Sequence, residues 1–455
     1  MTSRFTAADD HTASTADTSF DDAMLDRLQR KAFDYFLQFT HPDTGLVADT
    51  SREGAPSSIA VVGFALSALP IGVEHGWIER VDAVQRTLAS LNFFMASDQS
   101  GSASATGFHG FYFHFLDMQL GTRVWCCELS PIDTTILIAG ILIAAAYFNA
   151  DTTSETELRR LASALYERVD WRWMQNDSVT VMQGWKPECG FQHYGWEGYS
   201  EALLLYALGL GSPTHPLTEQ SFPAWTMTYQ WEHLYGYDFL YAGPLFIHQF
   251  SHAWIDFRGI RDDFMREKDC DYFENSRRAT YIQRAYAIRN PKSFVGYDAE
   301  HWGLSAGDGP HEETRRIAGR RQAFYGYAAR GVPYGPDDGT ISPSSIVSSL
   351  VFAPEIVLPA LHALQADGAA QGADFIHASG FNATLGDTLK ATWTTTDIFG
   401  LDQGMIILMI ENYRSGLPWR LTRGLSCLRT GLGRAGFAGG WLDRHAKGQH
   451  ARSKP

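Results

Sequence analysis

The chain has 455 residues, of which 45% are hydrophobic and 19% charged, a composition typical of globular proteins rather than disordered ones. Its 37 basic and 51 acidic residues give a net charge of −14, which disfavours nucleic acids and anionic membrane surfaces as partners. The five cysteines are an odd, scattered set without C-x-x-C pairs, so neither a disulfide framework nor a structural zinc site is indicated.

Helical periodicity dominates the chain and predicts twelve helices in pairs. Segments that are apolar all round, such as 131–149 and 402–410, alternate with amphipathic ones, such as 154–169 and 271–289. An inner ring of buried helices inside an outer ring with one solvated face gives this alternation, so we predict an all-α fold, an (α/α) six-hairpin toroid. A helical solenoid is the alternative, but no repeat of fixed period is found. The predicted helices cover residues 22–39, 57–74, 80–96, 131–149, 154–169, 197–209, 219–232, 249–266, 271–289, 343–352, 354–366 and 402–415.

Four long loops, rich in glycine and aromatic residues, separate these helices at 100–115, 183–197, 293–312 and 331–341. Long loops in a compact domain often carry the functional site. We therefore predict a single domain over residues 21–430 in which the loops form a cleft at one end of the toroid.

The two ends of the chain differ in composition from the rest. Residues 1–20 are polar and acidic and predict a disordered lead, while residues 431–455, rich in Gly, Arg and Lys, predict a flexible basic tail. The first residues lack the apolar core of a signal peptide, and the longest apolar run, 136–148, is too short to span a bilayer. We therefore expect a cytoplasmic protein, or a periplasmic one if the true start lies upstream.

Two carboxyl groups flank the start of the helix predicted at 131–149. Ser130 before Pro131 has the pattern of an N-cap, which places Asp133 in the first helical turn. A favourable interaction with the helix N-terminus explains Asp133 as well as a functional role does. Glu128 precedes the cap, so that explanation fits it less well. Both residues are candidates for contact with a substrate.

Two further carboxyl groups stand at the heads of apolar helices. Glu201 lies in the segment WEGYSEALLL at 196–205, where the apolar setting beside Tyr199 would raise its pKa, as a general acid requires. A capping-box role is the alternative, but the spacing from Ser200 does not fit it. Asp402 follows a glycine and opens a helix that is apolar on every side. It is either simply the N-cap or a general base whose ionised form the free backbone N–H groups favour.

A metal site is one interpretation of His248, His252 and Asp256, which are spaced i, i+4 and i+8 and would share a helical face. The H-E-x-x-H position holds no glutamate, however, and the acidic residue is a further turn away. Hydrogen bonds to a hydroxyl-rich substrate or to buried neighbours are therefore favoured over a metal. The segment DDFMR at 262–266 lacks the third acid of the D-D-x-x-D magnesium motif.

The sequence contains no G-x-S-x-G elbow, Walker loop or dinucleotide fingerprint. The remaining chemical groups are carboxyls, aromatic rings, histidines and arginines in loops at the ends of apolar helices. One protonated acid, one ionised base and flat aromatic platforms are the requirements for cleaving a glycosidic bond. That reaction needs positioned protons and water, so we expect neither a cofactor nor a metal.

Seven segments carry a resemblance to a known family: 58–73 (SIAVVGFALSALPIGV), 110–118 (GFYFHFLDM), 128–134 (ELSPIDT), 248–259 (HQFSHAWIDFRG), 271–279 (DYFENSRRA), 352–360 (FAPEIVLPA) and 411–416 (ENYRSG). They resemble the "glucoamylase-like" bacterial proteins of glycoside hydrolase family 144, over roughly residues 22–420. The resemblance implies an (α/α) six-hairpin barrel that acts on β-1,2-linked glucan, mainly as an inverting endo-β-1,2-glucanase. The glucoamylase label would imply an α-glucan instead, and we discount it.

The resemblance also implies roles for the two carboxyls. In the family and its fungal relatives, the glutamate of W-x-G-Y-x-E-A is the proposed acid and the aspartate of G-x-D-Q-G the proposed base, and these fall on Glu201 and Asp402. Two departures, Ser200 where asparagine is expected and SAGD at 305–308, are expected to retune the substrate subsites. Family members are usually exported, so a cytoplasmic member would trim imported oligosaccharides.

The predicted function is inverting hydrolysis of β-1,2-glucan or β-1,2-gluco-oligosaccharides. Transglycosylation on the same linkage and a catalytically inactive glucan-binding protein are the alternatives, and the presence of both carboxyls argues against the second. We expect Glu201 and Asp402 to come from non-adjacent hairpins and to face one opening, lined by aromatic residues of 108–115, 183–197 and 293–302. The residues predicted to bind the carbohydrate are Glu128, Asp133, Trp196, Tyr199, His248, His252, Trp254, Arg258, Trp302 and Asp308.

Overall fold

Most of the chain is α-helical. The structure, a computed structural model, describes residues 15–317, 319–371, 374, 376–386 and 392–443. Short 3₁₀ turns lie at Trp173–Gln175, Leu245–His248, Phe250–Ala253 and Ala383–Gly386. In chain order the α-helices are α1 (Thr15–Gln38), α2 (Ile59–Glu74), α3 (Arg80–Ala96), α4 (Pro131–Tyr147), α5 (Thr153–Arg168), α6 (Leu203–Gly211), α7 (Ser221–Thr226), α8 (Asp263–Glu267), α9 (Tyr272–Arg289), α10 (Pro343–Ser348), α11 (Pro354–Gln371), α12 (Gly400–Arg414), α13 (Leu417–Arg423) and α14 (Ser426–Arg434).

A closed ring of six inner elements forms the centre of the molecule: α2, α4, α6, the 3₁₀ segment 245–253, α10 and α12. α2 packs on α4 and α4 on α6, while α12 closes the ring by packing against both α10 and α2. In the 3₁₀ segment, Ser251 Oγ accepts from the N–H of Leu204 in α6 at 3.2 Å, and the Gln249 amide donates to Ser345 O in α10 at 2.7 Å. α1, α3, α5, α7, α9 and α11 alternate with these elements along the chain. The fold is therefore an α/α toroid, as predicted.

The inner helices are buried because their sequences are apolar on every side. In α4, every residue from Asp133 to Ala144 is buried, and nearly all of α2 is buried too. A Cβ atom on Gly140 of α4 would lie only 2.0 Å from the carbonyl oxygen of Gly63 in α2. Glycine at this crossing lets the backbones of α2 and α4 come into direct contact, so the space that a side chain would occupy is filled by the neighbouring helix.

Short strands connect the helices at one end of the toroid. An antiparallel five-stranded sheet joins Gly107–Phe108, Phe111–Phe113, Leu129–Ser130, Trp185–Lys186 and Gly190–Phe191, in that order. It ties the loop before α4 to the loop before α6, so the segments that hold Glu128 and Glu201 share one end of the molecule. The other strands are Ser57–Ser58, Phe115–Leu116, Trp231–Leu234, Tyr237–Leu240, Ala306–Gly307, Glu313–Ile317, Arg320–Phe324, Ala328–Ala329, Phe381–Asn382 and Trp393–Thr394, all in antiparallel pairs.

Two predicted helices are wrong over much of their length. The helix predicted at 249–266 consists of 3₁₀ turns and irregular chain before α8, because the side chains of Gln249 and Ser251 bond to neighbouring elements and Gly259 is left-handed (φ +73°). The helix predicted at 219–232 stops at Thr226 in α7. It gives way to a hairpin whose turn residues, Tyr235 and Gly236, both have positive φ.

The chain ends differ partly from prediction. Of the predicted disordered lead, residues 1–14 lie outside the described residues, and α1 begins at Thr15. The predicted flexible tail, 431–455, is wrong for its first part, because α14 continues to Arg434 and the side chains of Phe437 and Trp441 are buried. Apolar side chains among the glycines explain the difference, while 444–455 lie outside the described residues. None of the helices in the described ranges is long and apolar enough to cross a membrane.

Candidate active site

A cavity of about 550 Å³ opens where α4, α10 and α12 begin and where the chain enters α6. Its volume falls in the range of small-molecule sites, roughly 300–1,000 Å³. Helix N-termini carry unpaired N–H groups and partial positive charge, which suit a pocket for oxygen-rich ligands. The cavity is lined by Asp49, His114, Phe115, Ile132, Asp133, Ile136, Glu201, Phe246, Gln249, Phe250, Ser305, Ala306, Gly307, Tyr327, Ser344, Ser345, Ser348, Ser379, Phe399, Leu401, Asp402 and Met405.

Glu201 lies in the turn that precedes α6, where the left-handed Gly198 (φ +77°) keeps the helix from starting at 197 as predicted. The Ser251 hydroxyl donates to the Glu201 backbone carbonyl at 2.8 Å and ties this turn to the next inner element. Burial raises the pKa of the Glu201 carboxyl to about 7, and the negative charge of Asp133 adds to the increase. An acid with this pKa keeps its proton below neutral pH, as predicted for a general acid.

Asp402 lies in the first turn of α12, whose N-cap is Phe399, so the N-cap alternative for Asp402 is wrong. Ser344 Oγ donates to Asp402 Oδ1 at 2.7 Å, while Oδ2 is buried without a hydrogen-bond partner among the described residues. Burial raises the pKa of Asp402 to about 7; Ser344 and Ser379 act in the opposite direction, and Asp308 adds to the increase. The backbone N–H groups at the helix N-terminus were predicted to favour the ionised form of Asp402, but desolvation is the larger effect and raises its pKa instead.

Glu201 and Asp402 come from the third and the sixth inner elements of the ring and line the same cavity. Elements in these two positions stand opposite each other, so the carboxyls approach the cavity from two sides. The predicted origin in non-adjacent hairpins with one shared opening agrees with this arrangement. A ligand held between two such groups can receive a proton on one side and lose one on the other.

His114 joins two of the predicted carboxyls at the cavity wall. Its Nδ1 lies 2.9 Å from Glu128 Oε1, and its Nε2 lies 3.6 Å from Asp133 Oδ2. Although burial disfavours a charged ring, Asp133 and Glu128 raise the pKa of His114 to about 9, and the hydrogen bond from His114 lowers the pKa of Glu128. Ser130 caps α4 through the Asp133 N–H at 3.2 Å, as predicted. Asp133 thus belongs to the capped first turn of α4 and also lines the cavity.

The trio of His114, Glu128 and Asp133 also places potential ligand atoms within 4.8 Å of one another, which makes it the candidate metal group among the residues that the structure describes. A protonated imidazole between two carboxylates accounts for this spacing by itself, because opposite charges attract at these distances. The three residues therefore form an ion-pair cluster at the cavity wall.

Two other acidic residues add negative charge near Asp402. Asp49 lines the cavity, and burial raises the pKa of its carboxyl to about 6. The Gly400 N–H donates to the Asp49 carbonyl at 2.8 Å, so this segment is fixed to the start of α12. Asp308, a predicted binding residue, is half-buried beside the cavity. Burial raises the pKa of its carboxyl, although Arg52 acts in the opposite direction.

The predicted binding aromatics Trp196, Tyr199 and Trp302 do not line the cavity. Trp302 is fully buried. Trp196 and Tyr199 pack against the hydrophobic core from the loop before α6, and the Tyr199 ring lies 5.9 Å from that of Tyr229. Trp302 fills the core, so its predicted contact with a substrate is wrong, whereas Trp196 and Tyr199 are only partly buried and their contact with a substrate stays a prediction.

His248 and His252 are also buried core residues, each 1% exposed. His248 Nε2 lies 3.2 Å from the Ala242 carbonyl, and His252 Nε2 lies 3.1 Å from Ser276 Oγ. Burial lowers the pKa of His248 to about 4 and that of His252 to about 3, so both rings are neutral. Hydrogen bonds to buried neighbours were one of the predicted alternatives, and both histidines form them. The prediction that they contact the substrate is wrong, because both are buried.

Trp254 and Arg258 are not among the residues that line the cavity either. The Trp254 Nε1–H donates to Ser67 Oγ in α2 at 3.0 Å, deep in the core. Arg258 forms a two-pronged ion pair with Asp256 at 2.8 and 2.9 Å, and its guanidinium lies 4.5 Å from the centre of the Trp419 ring. Asp256 therefore pairs with arginine instead of joining the histidines at a metal. The predicted substrate contact of Trp254 is wrong because its ring is buried, while that of the exposed Arg258 stays a prediction.

Of the three loops predicted to line the opening, only 108–115 supplies lining residues in the described part of the chain, through His114 and Phe115. The loop 183–197 packs against the loop 108–115 instead, since the rings of Trp185 and Phe108 are 5.1 Å apart. Asp49 was not among the predicted residues, because it lies eight residues before the helix predicted at 57–74 and not at the head of that helix. Sequence analysis also passed over Tyr327, which lines the cavity although 69% exposed. The stretch G-F-x-F-H at 110–114, before Glu128, was the available signal for His114.

Comparisons with known proteins agree with this architecture. The model of a family described as "Putative glucoamylase" matches residues 193–426, slightly more than half of the chain. A protein from Bacteroides uniformis, described as a "putative glucoamylase", has a crystal structure similar to this one, with a TM-score of 0.82 and 28% identity over 93% of this chain and 98% of that one. The endo-β-1,2-glucanase of Chitinophaga pinensis, solved with sophorotriose and glucose, gives a TM-score of 0.80 and 25% identity over 92% and 99% of the two chains.

A curated relative extends the comparison. The exo-β-1,2-glucooligosaccharide sophorohydrolase (non-reducing end) of Parabacteroides distasonis is 26% identical over 442 residues, which cover 88% of this chain and 56% of the relative. The chain thus spans little more than half the length of that enzyme. The match of the family model, the toroid and the two carboxyls at one cavity agree with one another. The chain belongs to this glucoamylase-like family, glycoside hydrolase family 144.

Proposed function

We propose that the protein is an inverting glycoside hydrolase that cleaves β-1,2-glucan or β-1,2-gluco-oligosaccharides by general acid–base catalysis. The observation that carries the proposal is the pair of carboxyls, Glu201 and Asp402, that line one cavity from opposite positions of the ring. Membership of family 144 and the β-1,2-glucan activities named for two relatives support the substrate class.

Glu201 is the proposed general acid. Its carboxyl, with a pKa raised by burial to about 7, holds a proton that it can give to the glycosidic oxygen as the bond from that oxygen to the anomeric carbon breaks. The leaving sugar departs as a neutral alcohol, and Glu201 is left as a carboxylate. The nearby His114 imidazolium, paired with Asp133, offsets the negative charge that appears on this side of the cavity.

Asp402 is the proposed general base. In its ionised form it takes a proton from a water molecule as the water oxygen attacks the anomeric carbon from the face opposite the leaving group. An inverting pair stands roughly 6.5–9.5 Å apart, because that water must fit between base and sugar. Ser344 holds Oδ1, which leaves the unpartnered Oδ2 to accept the hydrogen bond from water or from a substrate hydroxyl.

The rest of the cavity suits a neutral, hydroxyl-rich ligand. Phe115, Phe246 and Phe250 supply flat apolar surface against which sugar rings can pack. Asp49 and Asp133 offer acceptors for sugar hydroxyl groups. The net charge of −14 does not repel an uncharged glucan. The cytoplasmic location, with imported oligosaccharides as substrate, stays a prediction.

A reducing-end assay on β-1,2-glucan and on α-1,4-glucan of equal mean length tests the proposal. We expect activity on the first substrate alone. Mass spectrometry of the products then separates the alternatives: chains shorter than the substrate indicate hydrolysis, whereas chains longer than the substrate indicate transglycosylation. Binding of β-1,2-glucan without any product would indicate an inactive binding protein, and activity on α-1,4-glucan alone would contradict the proposal.

A further inference from the structure

Trp125 presents an unusually large apolar surface to solvent. Its side chain is 69% exposed, in a loop that lies between two strands at the cavity end of the toroid. An exposed indole offers a flat apolar face on which the ring of a ligand can stack.

The backbone around Trp125 is conformationally unfavourable for these residue types. Trp125 (φ +57°) and Cys126 (φ +48°) are both left-handed, and the Cys127 N–H donates to the Val124 carbonyl at 3.1 Å to close the turn. Two consecutive left-handed residues define a turn that normally prefers asparagine and glycine. A bulky ring in such a conformation makes the turn a candidate for a functional role.

The turn is held firmly against the wall of the cavity. The Arg123 Nε–H donates to the Cys127 carbonyl at 2.6 Å, and the same guanidinium pairs with Glu188 at 2.6 and 3.0 Å. The Val124 N–H donates to the Phe115 carbonyl at 3.1 Å. With its turn fixed on both sides, the Trp125 ring has a defined place and loses little freedom when it is covered.

The Trp125 ring is also continuous with the cavity. It lies 5.0 Å from the ring of Phe115, which lines the cavity and stacks on His114 at 3.9 Å. An aromatic surface therefore runs from the cavity wall to the solvent without a break. A cavity of about 550 Å³ holds only a few sugar rings, so a longer chain has to cross its rim.

We propose that Trp125 is an outer subsite, on which a glucosyl unit of the bound glucan stacks beyond the units held in the cavity. The inference rests on the proposed function, since it takes the same β-1,2-glucan as ligand. The C–H groups on one face of a glucosyl ring pack on an indole face, and the polar edge of that sugar stays in water. Trp125 thereby favours long chains over short ones and leaves the chemistry to Glu201 and Asp402.

Trp125→Asn is the variant that tests the subsite, because asparagine suits the left-handed turn but lacks the ring. We expect the KM for long β-1,2-glucan to rise by roughly three- to tenfold, the size expected for loss of one aromatic stacking contact. The kcat on long glucan and both constants on a trisaccharide should stay within about twofold of wild type. Tyr413→Asn, at the far end of α12, removes an exposed ring away from the cavity and should change none of these constants.

The outcomes separate the two proposals. Wild-type enzyme that cleaves both substrates, with a Trp125→Asn variant unchanged on long glucan, would overturn the subsite alone. An equal loss on long and short substrates, or a lowered melting temperature, would assign Trp125 a structural role and also overturn it. Wild-type enzyme without activity on any β-1,2-glucan would overturn the proposed function and the subsite together.

Discussion

Burial raises the pKa of both Glu201 and Asp402 to about 7, so the two carboxyls titrate over the same pH interval. The proposed reaction needs the state in which Glu201 carries a proton and Asp402 does not. Below this interval Asp402 is protonated and cannot act as a base, while above it Glu201 has lost its proton. We expect a bell-shaped dependence of kcat/KM on pH with a maximum near pH 7, and a flat profile from pH 5 to 9 would contradict the assignment.

Ser344 is expected to set the acidic limb of that profile. Its hydroxyl donates to Asp402 Oδ1 at 2.7 Å and thereby stabilises the carboxylate. In Ser344→Ala the pKa of Asp402 should increase further, and the acidic limb should move upward by roughly half a pH unit or more. Ser348→Ala, one turn along α10, removes a hydroxyl that donates to Ser344 O and serves as the control. An acidic limb that moves equally in both variants would indicate a general effect of the helix.

Isosteric replacement tests the two carboxyls directly. Glu201→Gln and Asp402→Asn preserve shape but remove proton transfer, so each should lower kcat by roughly a hundredfold or more. Glu197→Gln, an exposed glutamate four residues before Glu201, is the matched control and should retain full activity. Kinetic assays on β-1,2-glucan provide the measurement. Near-normal turnover in either variant would remove that residue from the mechanism, and Asp133 and Glu128 would be the next candidates.

The packing of the inner helices depends on individual glycines. A Cβ on Gly140 in α4 would lie 2.0 Å from the Gly63 carbonyl oxygen in α2. Neither backbone can shift without moving one of the inner helices of the toroid. Gly140→Ala should therefore destabilise the protein by roughly 1–3 kcal/mol or more, seen as a lower midpoint in denaturant.

Gly433→Ala provides the control for this comparison. Gly433 lies in α14 with nothing within 4 Å of an added Cβ, so alanine there should leave stability unchanged or raise it slightly. Equal stability of the Gly140 and Gly433 variants would contradict the close packing of α2 on α4.

Prediction from the sequence worked best for elements with strong apolar patterns. The observed bounds of α2, α4, α9 and α12 agree with the predicted ones to within a few residues, because these helices are long and carry apolar residues in every turn. The segment 245–253 was misassigned because polar side chains such as Gln249 and Ser251 find partners on other elements, which no local pattern reveals.

At the site, the sequence identified the carboxyls but not their surroundings. Glu201, Asp402 and Asp133 all line the cavity. They could be predicted because a carboxyl at the head of an apolar helix has few structural explanations. His248, Trp254 and Trp302 were wrong as binding residues because a buried ring in the core and a ring at a site look alike in sequence. Asp49 reaches the cavity from the chain before α2 through tertiary contacts with α12, so only the structure reveals it.

For the whole molecule, the buried acid has a measurable cost in stability. The pKa of Glu201 is about 7 in the folded protein and about 4.5 in the unfolded chain, so its contribution to stability is full below about pH 4.5 and is lost as pH rises from there to about 7. Glu201→Gln carries no charge at any pH. The melting temperature of the variant should therefore match wild type near pH 4 and exceed it by a few degrees at pH 8.

Calorimetry of the two proteins across this range gives the measurement. His248 and His252, whose pKa values burial lowers, change total stability in the opposite direction below about pH 6.5, but they are common to both proteins and cancel in the difference. A difference in melting temperature that stays constant from pH 4 to 8 would indicate that Glu201 ionises freely in the folded protein.

The most direct measurement of the central claim is the configuration of the first product, followed by proton NMR during cleavage of β-1,2-glucan. With Glu201 as acid and Asp402 as base, water attacks from the face opposite the leaving group, so the new reducing end must appear first as the α-anomer and equilibrate later. The Glu201→Gln and Asp402→Asn variants should give no such signal over the same time. A new reducing end that appears first as the β-anomer would contradict direct displacement by water between these two carboxyls.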